Sequence, residues 1–212
     1  MRLTLCLLCI AVFPAPLIGQ SQLCERAAQA ASRSYDVPLE ILLGITLIET
    51  GRTRDSSLKP WPWTLNVAGQ GYWMKNKQDA LERAGDAISK DRLSFDVGCF
   101  QLNYLWHSSN FSSLNQMIDP QINANYAARF LSQLHAEFGN WDRAVAAYHS
   151  RTPQIGQRYL EKFNRISANI DLGTIGEQSA VEATPSLFQD AGLFAEKRDH
   201  QSVALNSLWD VN

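Results

Sequence analysis

Several features that would mark a specialised class are scarce in this 212-residue chain. Its formal net charge is 19 − 21 = −2, so it carries no basic footprint for nucleic acid. Charged residues make up 19% and hydrophobic residues 45%, which excludes a wholly disordered chain. Four cysteines are too few for a disulfide-dense miniprotein. Beyond the first twenty positions no apolar run reaches the roughly 18 residues of a membrane-spanning helix. No internal repeat and no heptad pattern is present. Familiar catalytic signatures are missing too. His107, His135, His149 and His200 form no zinc-type pair such as H-E-x-x-H. There is no G-x-S-x-G elbow, and Gly69-Gln70-Gly71 lacks the further glycine of a dinucleotide loop. Metal, serine-nucleophile and dinucleotide chemistry therefore have no support, and carboxyl chemistry remains.

What is there divides into three unlike parts. Residues 1–19 have one basic residue, Arg2, an apolar stretch from Leu3 to Phe13, and a small-residue exit ending at Gly19. That is the pattern of a secretory signal peptide; an uncleaved anchor helix would be broken by Pro14 and Pro16. The mature protein is expected to work outside the cytoplasm, with no integral membrane segment. Residues 171–212 hold seven acids and two bases, a balance of −5, with no sustained period. They read as a flexible acidic tail or a weakly docked peptide. Between them, residues 20–170 are long enough for one domain. Once the signal leaves, Cys24 and Cys99 remain. A Cys24–Cys99 disulfide is expected in an oxidising compartment, with two buried free thiols as the alternative. Neither lies in a C-x-x-C motif, so a redox pair is not expected.

The middle part reads as helices. Pro38 suits a first turn, and Leu39, Ile41, Leu42, Leu43, Ile45, Leu47 and Ile48 are apolar nearly all round, as in a helix at the centre of a domain. A buried strand is the rival, but Pro at the start, Gly51 at the end and a length near 13 favour helix. Gly51 is expected to stop it in the left-handed conformation. Further helices are predicted over 23–34, 77–90, 120–138, 141–148 and 153–170. Residues 56–74, with Pro60, Pro62, Gly69 and Gly71 amid aromatics, predict an irregular loop or a small hairpin.

Glu49 is the anomaly. It follows a nearly unbroken apolar run and sits at the C-terminal end of its helix. Burial and the negative end of the helix dipole both disfavour its ionised form. A carboxyl kept protonated in that setting is a general acid. The alternative is a capping or salt-bridged glutamate partnered by Arg52 or Arg54. Trp61, Trp63, Tyr72 and Trp73 follow closely, then Phe100, Tyr104 and Trp106. Flat aromatic faces suit the apolar faces of sugar rings, although some of these residues are expected in the core.

The order of motifs resembles the soluble lytic transglycosylase family, relatives of goose-type lysozyme. Its elements are Ile48-Glu49-Thr50-Gly51, Gly98-Cys99-Phe100-Gln101-Leu102-Asn103, Asp119-Pro120-Gln121-Ile122-Asn123, and Ala144-Val145-Ala146-Ala147-Tyr148-His149-Ser150. Phe100 stands where the family usually has Met, and His149-Ser150 where it has Asn-x-Gly. The resemblance implies an all-α, mainly helical, lysozyme-like domain. It implies that Glu49 protonates the glycosidic oxygen between N-acetylmuramic acid and N-acetylglucosamine in peptidoglycan. The carboxylate would then take the proton of the sugar's own C6 hydroxyl, whose oxygen closes on C1 to leave a 1,6-anhydro end. It also implies no metal and no cofactor, and substrate contacts from Gln101, Asn103 and Tyr148, the last orienting Glu49 or the acetamido group. Trp63, Trp73 and Phe100 complete the expected binding set. Two other readings stay open. One is a hydrolase with Asp96 as second carboxylate, although Asp-Val-Gly reads first as a turn. The other is a non-catalytic, glycan-binding adaptor of an envelope-spanning apparatus, docking through residues 171–212.

Overall fold

The computed structural model describes residues 19–54 and 57–170. Residues 1–18 of the signal expected at 1–19, and the tail expected at 171–212, lie outside them. In chain order come α1 (Gln20–Tyr35), α2 (Leu39–Thr50), β1 (Arg52–Arg54), β2 (Ser57–Lys59), β3 (Thr64–Val67), β4 (Gln70–Trp73) and α3 (Lys77–Ser89). Then follow β5 (Phe95–Val97), β6 (Leu102–Asn103), α4 (Tyr104–His107), α5 (Leu114–Met117), α6 (Pro120–Phe138), α7 (Trp141–His149) and α8 (Pro153–Ser167). The domain is mainly helical, with two small antiparallel sheets. β1 pairs with β2, and the larger sheet has the order β4-β3-β5-β6.

The long helices arise where their end signals predict them. Asp119 caps α6 by accepting from the Gln121 and Ile122 amides at 3.0 and 3.2 Å, with Pro120 in the first turn. The Asn76 and Asn140 side chains cap α3 and α7 in the same way. The 56–74 region contains the hairpin β3–β4, one of the two forms expected. Strands β5 and β6 were not predicted, because segments of three and two residues are too short to show a period.

Gly51 corrects another expectation. Its φ is −59°, so it is not left-handed. It is glycine because a Cβ there would run into the Leu47 carbonyl oxygen.

α2 is the central helix, and residues Ile41 through Thr46 are all buried. α1 packs along α6 on one side of the core, and α2 packs against α8. That second crossing is close because Gly44 faces Phe163: a Cβ at Gly44 would lie 2.5 Å from the Phe163 ring. Gly44→Ala should therefore cost about 1–3 kcal/mol through overpacking, read as a lower midpoint in urea unfolding. An unchanged midpoint would show that α8 gives way freely.

Cys24 on α1 and Cys99 in the β5–β6 connection form a disulfide with Cα atoms 5.6 Å apart, as expected. No helix among the described residues is long and apolar enough to cross a membrane.

Candidate active site

α2 delivers Glu49 to the side of a cleft of about 490 Å³, lined by Ile48, Glu49, Asn66, His149, Ile155, Arg158, Tyr159 and Lys162. The end of that helix is tied down from several directions. The Thr46 hydroxyl donates to the Cys99 carbonyl at 2.8 Å, and the Thr50 hydroxyl to the Thr46 carbonyl at 2.9 Å. The Trp61 amide donates to the Thr50 hydroxyl at 3.1 Å, and the Trp73 indole N–H to the Thr50 carbonyl at 2.9 Å. Glu49 thus stands on a helix turn whose backbone is braced by the hairpin and the disulfide loop.

Glu49 itself is half-buried. Its Oε1 accepts the phenolic hydrogen of Tyr159 at 2.7 Å. Tyr159 is 5% exposed, and its ring stacks on His149 with centroids 4.4 Å apart and planes 5° from parallel. Burial pushes the Glu49 carboxyl up to about 7; the Tyr159 hydrogen bond and the Lys162 charge pull the other way without winning. Of the two alternative partners, Arg52 or Arg54, Arg52 lies over the Trp61 ring at 5.3 Å, and the Arg54 side chain is outside the described ones.

Asp96 corrects a second expectation. It is not a turn acid but a strand residue on β5, 2% exposed, accepting from the Asn103 side-chain amide at 2.8 Å. Burial, and then the charge of Glu49, push its carboxyl up to about 8 against the opposing Asn103 bond. The Glu49 charge thus disfavours ionisation of Asp96, whereas the cleft itself is lined by Glu49 and not by Asp96.

Residues 79–169 match the family model of the transglycosylase SLT domain. That stretch is similar to the SLT domain. That family consists of glycan-cleaving transglycosylases that bind peptidoglycan. No curated protein and no solved structure matches the chain. The match to the SLT domain begins at Asp79, after Glu49, and takes in the Gly98–Asn103 loop, α6, α7 and Tyr159. Glu49 rests on its own position: the cleft, the Tyr159 bond and its raised titration.

The expected binding residues separate into two groups. Gln101 is 4% exposed, and both its amide hydrogens are engaged, with Thr64 O at 3.1 Å and Gly98 O at 2.9 Å. It holds the loop, and its own backbone is left-handed at φ 45°. Asn103 is 3% exposed and bonds Asp96. Phe100 is fully buried, so it belongs to the core and presents no face to a sugar. Tyr148 is 1% exposed and donates to the Phe100 carbonyl at 2.8 Å. The tyrosine that orients Glu49 is Tyr159, one helix later. Trp63 is half-buried against the core, whereas Trp73 is 44% exposed beside the end of α2. Of the expected aromatics, Trp73 offers the free face.

Sequence reasoning missed Tyr159, Asn66 and Asn123. Asn123 is fully buried; its amide donates to Val97 O and Met117 O at 3.0 and 2.9 Å and its oxygen accepts from the Phe100 amide at 2.9 Å. It fastens α6 to the loop that carries Gln101. The only signal for it was its place in the Asp119-Pro120 motif. Tyr159 was visible merely as one apolar position of α8.

Tyr159→Phe provides a test of the Glu49 environment. The lost hydrogen bond favoured the ionised carboxyl, so its removal raises the titration further. The alkaline limb of kcat/KM should move from near pH 7 in the wild type to a pH about one unit higher. A limb that stays in place would show that Glu49 does not govern it.

Proposed function

We propose that this protein is a peptidoglycan lytic transglycosylase that cleaves the β-1,4 bond between N-acetylmuramic acid and N-acetylglucosamine without water. The observation that carries the reading is a single carboxyl, Glu49, at the side of a cleft and raised to about 7 by burial. Near neutral pH such a group exists in both forms, as a residue that first gives and then takes a proton must.

In the first step the Glu49 carboxyl donates its proton to the glycosidic oxygen. The C1–O bond breaks and leaves an oxocarbenium-like or oxazolinium species. The resulting carboxylate, steadied by the Tyr159 hydroxyl at 2.7 Å, then accepts the proton of the C6 hydroxyl. That oxygen bonds to C1, giving a 1,6-anhydro end and restoring the Glu49 proton. Trp73 supplies an aromatic face beside this centre, and Arg158 and Lys162 make the cleft wall cationic toward an anionic polymer.

A hydrolase on the same fold would need a second carboxylate to activate water or attack C1. Among the described residues, Asp96 is the one carboxyl whose titration the Glu49 charge shifts. Its burial and its titration near 8 leave it protonated and sheltered at neutral pH, which favours the lyase. Mass spectrometry of purified peptidoglycan digests decides: anhydro ends support the proposal, and reducing ends without anhydro products support the hydrolase.

We take the mature chain to act in the periplasm, on the reading of residues 1–19 as a signal peptide. Residues 171–212 are the segment proposed to reach components of an envelope-spanning apparatus. Deleting them should leave digestion unchanged.

A further inference from the structure

Backbone packing alone does not fix the Tyr159 ring. Gly156, Tyr159 and Phe163 are the buried residues of α8, spaced to share one face of the helix. The outer two set where the helix runs. A Cβ at Gly156 would lie 2.8 Å from the Ser150 carbonyl oxygen and 3.0 Å from that of Ala146, so α8 meets the end of α7 backbone to backbone. Phe163 meets Gly44 of α2 as closely. Tyr159 lies between these two anchor points. They leave its phenol free to turn about two side-chain torsions. A modest rotation of either carries the hydroxyl, at the far end of the ring, out of hydrogen-bond range.

His149 supplies the remaining constraint. It is the last residue of α7, half-buried on the cleft wall with Glu49 and Tyr159. Its ring lies 4.4 Å from the Tyr159 ring, centroid to centroid, with the planes 5° from parallel. A flat face stacked at that distance stops the phenol from tilting. The hydroxyl so held reaches Glu49 Oε1 at 2.7 Å. The platform must also carry no charge. An imidazolium here would favour the Glu49 carboxylate and draw its titration down from about 7. Burial, and then the Lys162 charge, push His149 down to about 4, so its ring is neutral where Glu49 exchanges its proton.

We propose that His149 is a positioning residue of this site, whose imidazole ring is the platform that holds the Tyr159 hydroxyl on the Glu49 carboxyl. The inference rests on the reading of Glu49 as the acid. His149 transfers no proton itself and acts through Tyr159. Removing it therefore matters to Glu49 only while Tyr159 has a hydroxyl to misplace. The titratable and charged groups that face the pair are Arg158 and Lys162 on α8, Tyr148 on α7 and Asp96 on β5. All of them are retained in every variant below, so their fields cancel in the comparison.

The test follows the Glu49 carboxyl directly. The mature chain, labelled with carbon-13 at its glutamate carboxyls, is titrated by NMR, the Glu49 signal being the one absent from Glu49→Gln. His149→Ala is measured in the wild-type background and in Tyr159→Phe. His149→Phe, which keeps a flat neutral ring, is measured beside them. In the wild-type background His149→Ala is expected to move the Glu49 titration upward by about half a pH unit or more relative to its effect in Tyr159→Phe. His149→Phe should titrate as the wild type does. His149→Leu, which fills space without a flat face, takes the place of His149→Ala if the alanine variant does not fold. Equal shifts in the two backgrounds overturn the inference, because His149 then acts on Glu49 without Tyr159. A His149→Phe shift as large as that of His149→Ala overturns it too. A wild-type Glu49 that titrates at its ordinary value of 4.5 overturns the acid reading itself, and this inference with it.

Discussion

Glu49→Gln should lower the rate of release of soluble glycan from purified peptidoglycan by about 10³-fold or more, with no anhydro-ended product detectable. Glutamine fills nearly the same volume and still accepts a hydrogen bond from Tyr159, so the fold and the cleft should survive. What it cannot do is give up a proton and take one back. The same variant should also be more stable above neutrality. The folded-state titration of Glu49, about 7, lies above its ordinary value of 4.5. The folded protein therefore holds this proton more tightly than the unfolded chain does. Its contribution is fully present below about pH 4.5 and is lost as pH rises through 7. Glutamine suffers no such loss, so at pH 8 Glu49→Gln should unfold later, by on the order of 1–3 kcal/mol. Lost activity with gained stability is the signature of a residue kept for chemistry rather than for the fold. A variant that still digests peptidoglycan at the wild-type rate would remove Glu49 from the mechanism.

Breaking the disulfide should have the largest effect on stability. The bridge joins residues 75 apart in sequence. In the chain-entropy account, a loop of that length is worth about 4 kcal/mol. For a domain of this size that corresponds to roughly 10 °C in melting temperature. Cys24→Ser with Cys99→Ser, scanned by calorimetry against the oxidised wild type, checks it. The consequence reaches the site, because Cys99 lies in the loop whose carbonyl accepts the Thr46 hydroxyl of α2 at 2.8 Å. Digestion should fall off at lower temperatures in the double variant, in step with unfolding. A melting temperature within a degree or two of wild type would mean that packing of α1 along α6 already fixes that end of the molecule.

The helical layout was legible because its signals are local. α6 begins at Pro120 and ends at Phe138 as its Asp-Pro start and Gly139 stop indicate, and α3 and α7 fall within a residue of expectation. The position of Glu49 at the end of a buried helix is equally local, and so is the direction of its titration. The small strands were not legible: β5 pairs with β3 between residues as distant in sequence as Asn66 and Asp96, and β6 is only two residues long. For the same reason Asp96 looked like a turn acid. Its burial comes from the strands that cover it, not from its neighbours in sequence.

The sequence by itself determined that a mainly helical stretch carries a carboxyl disposed to stay protonated, and that Cys24 and Cys99 were available to bridge. These follow from periodicity, capping and counting. Tertiary structure alone decided which side chains face that carboxyl. Tyr159 reaches Glu49 because Gly44 lets α8 approach α2, while Tyr148, Gln101 and Phe100 are turned to backbone carbonyls or the core. Periodicity places a residue on a face of its own helix or strand. Which neighbour that face meets depends on packing between distant segments, and the chemistry of the cleft was settled there.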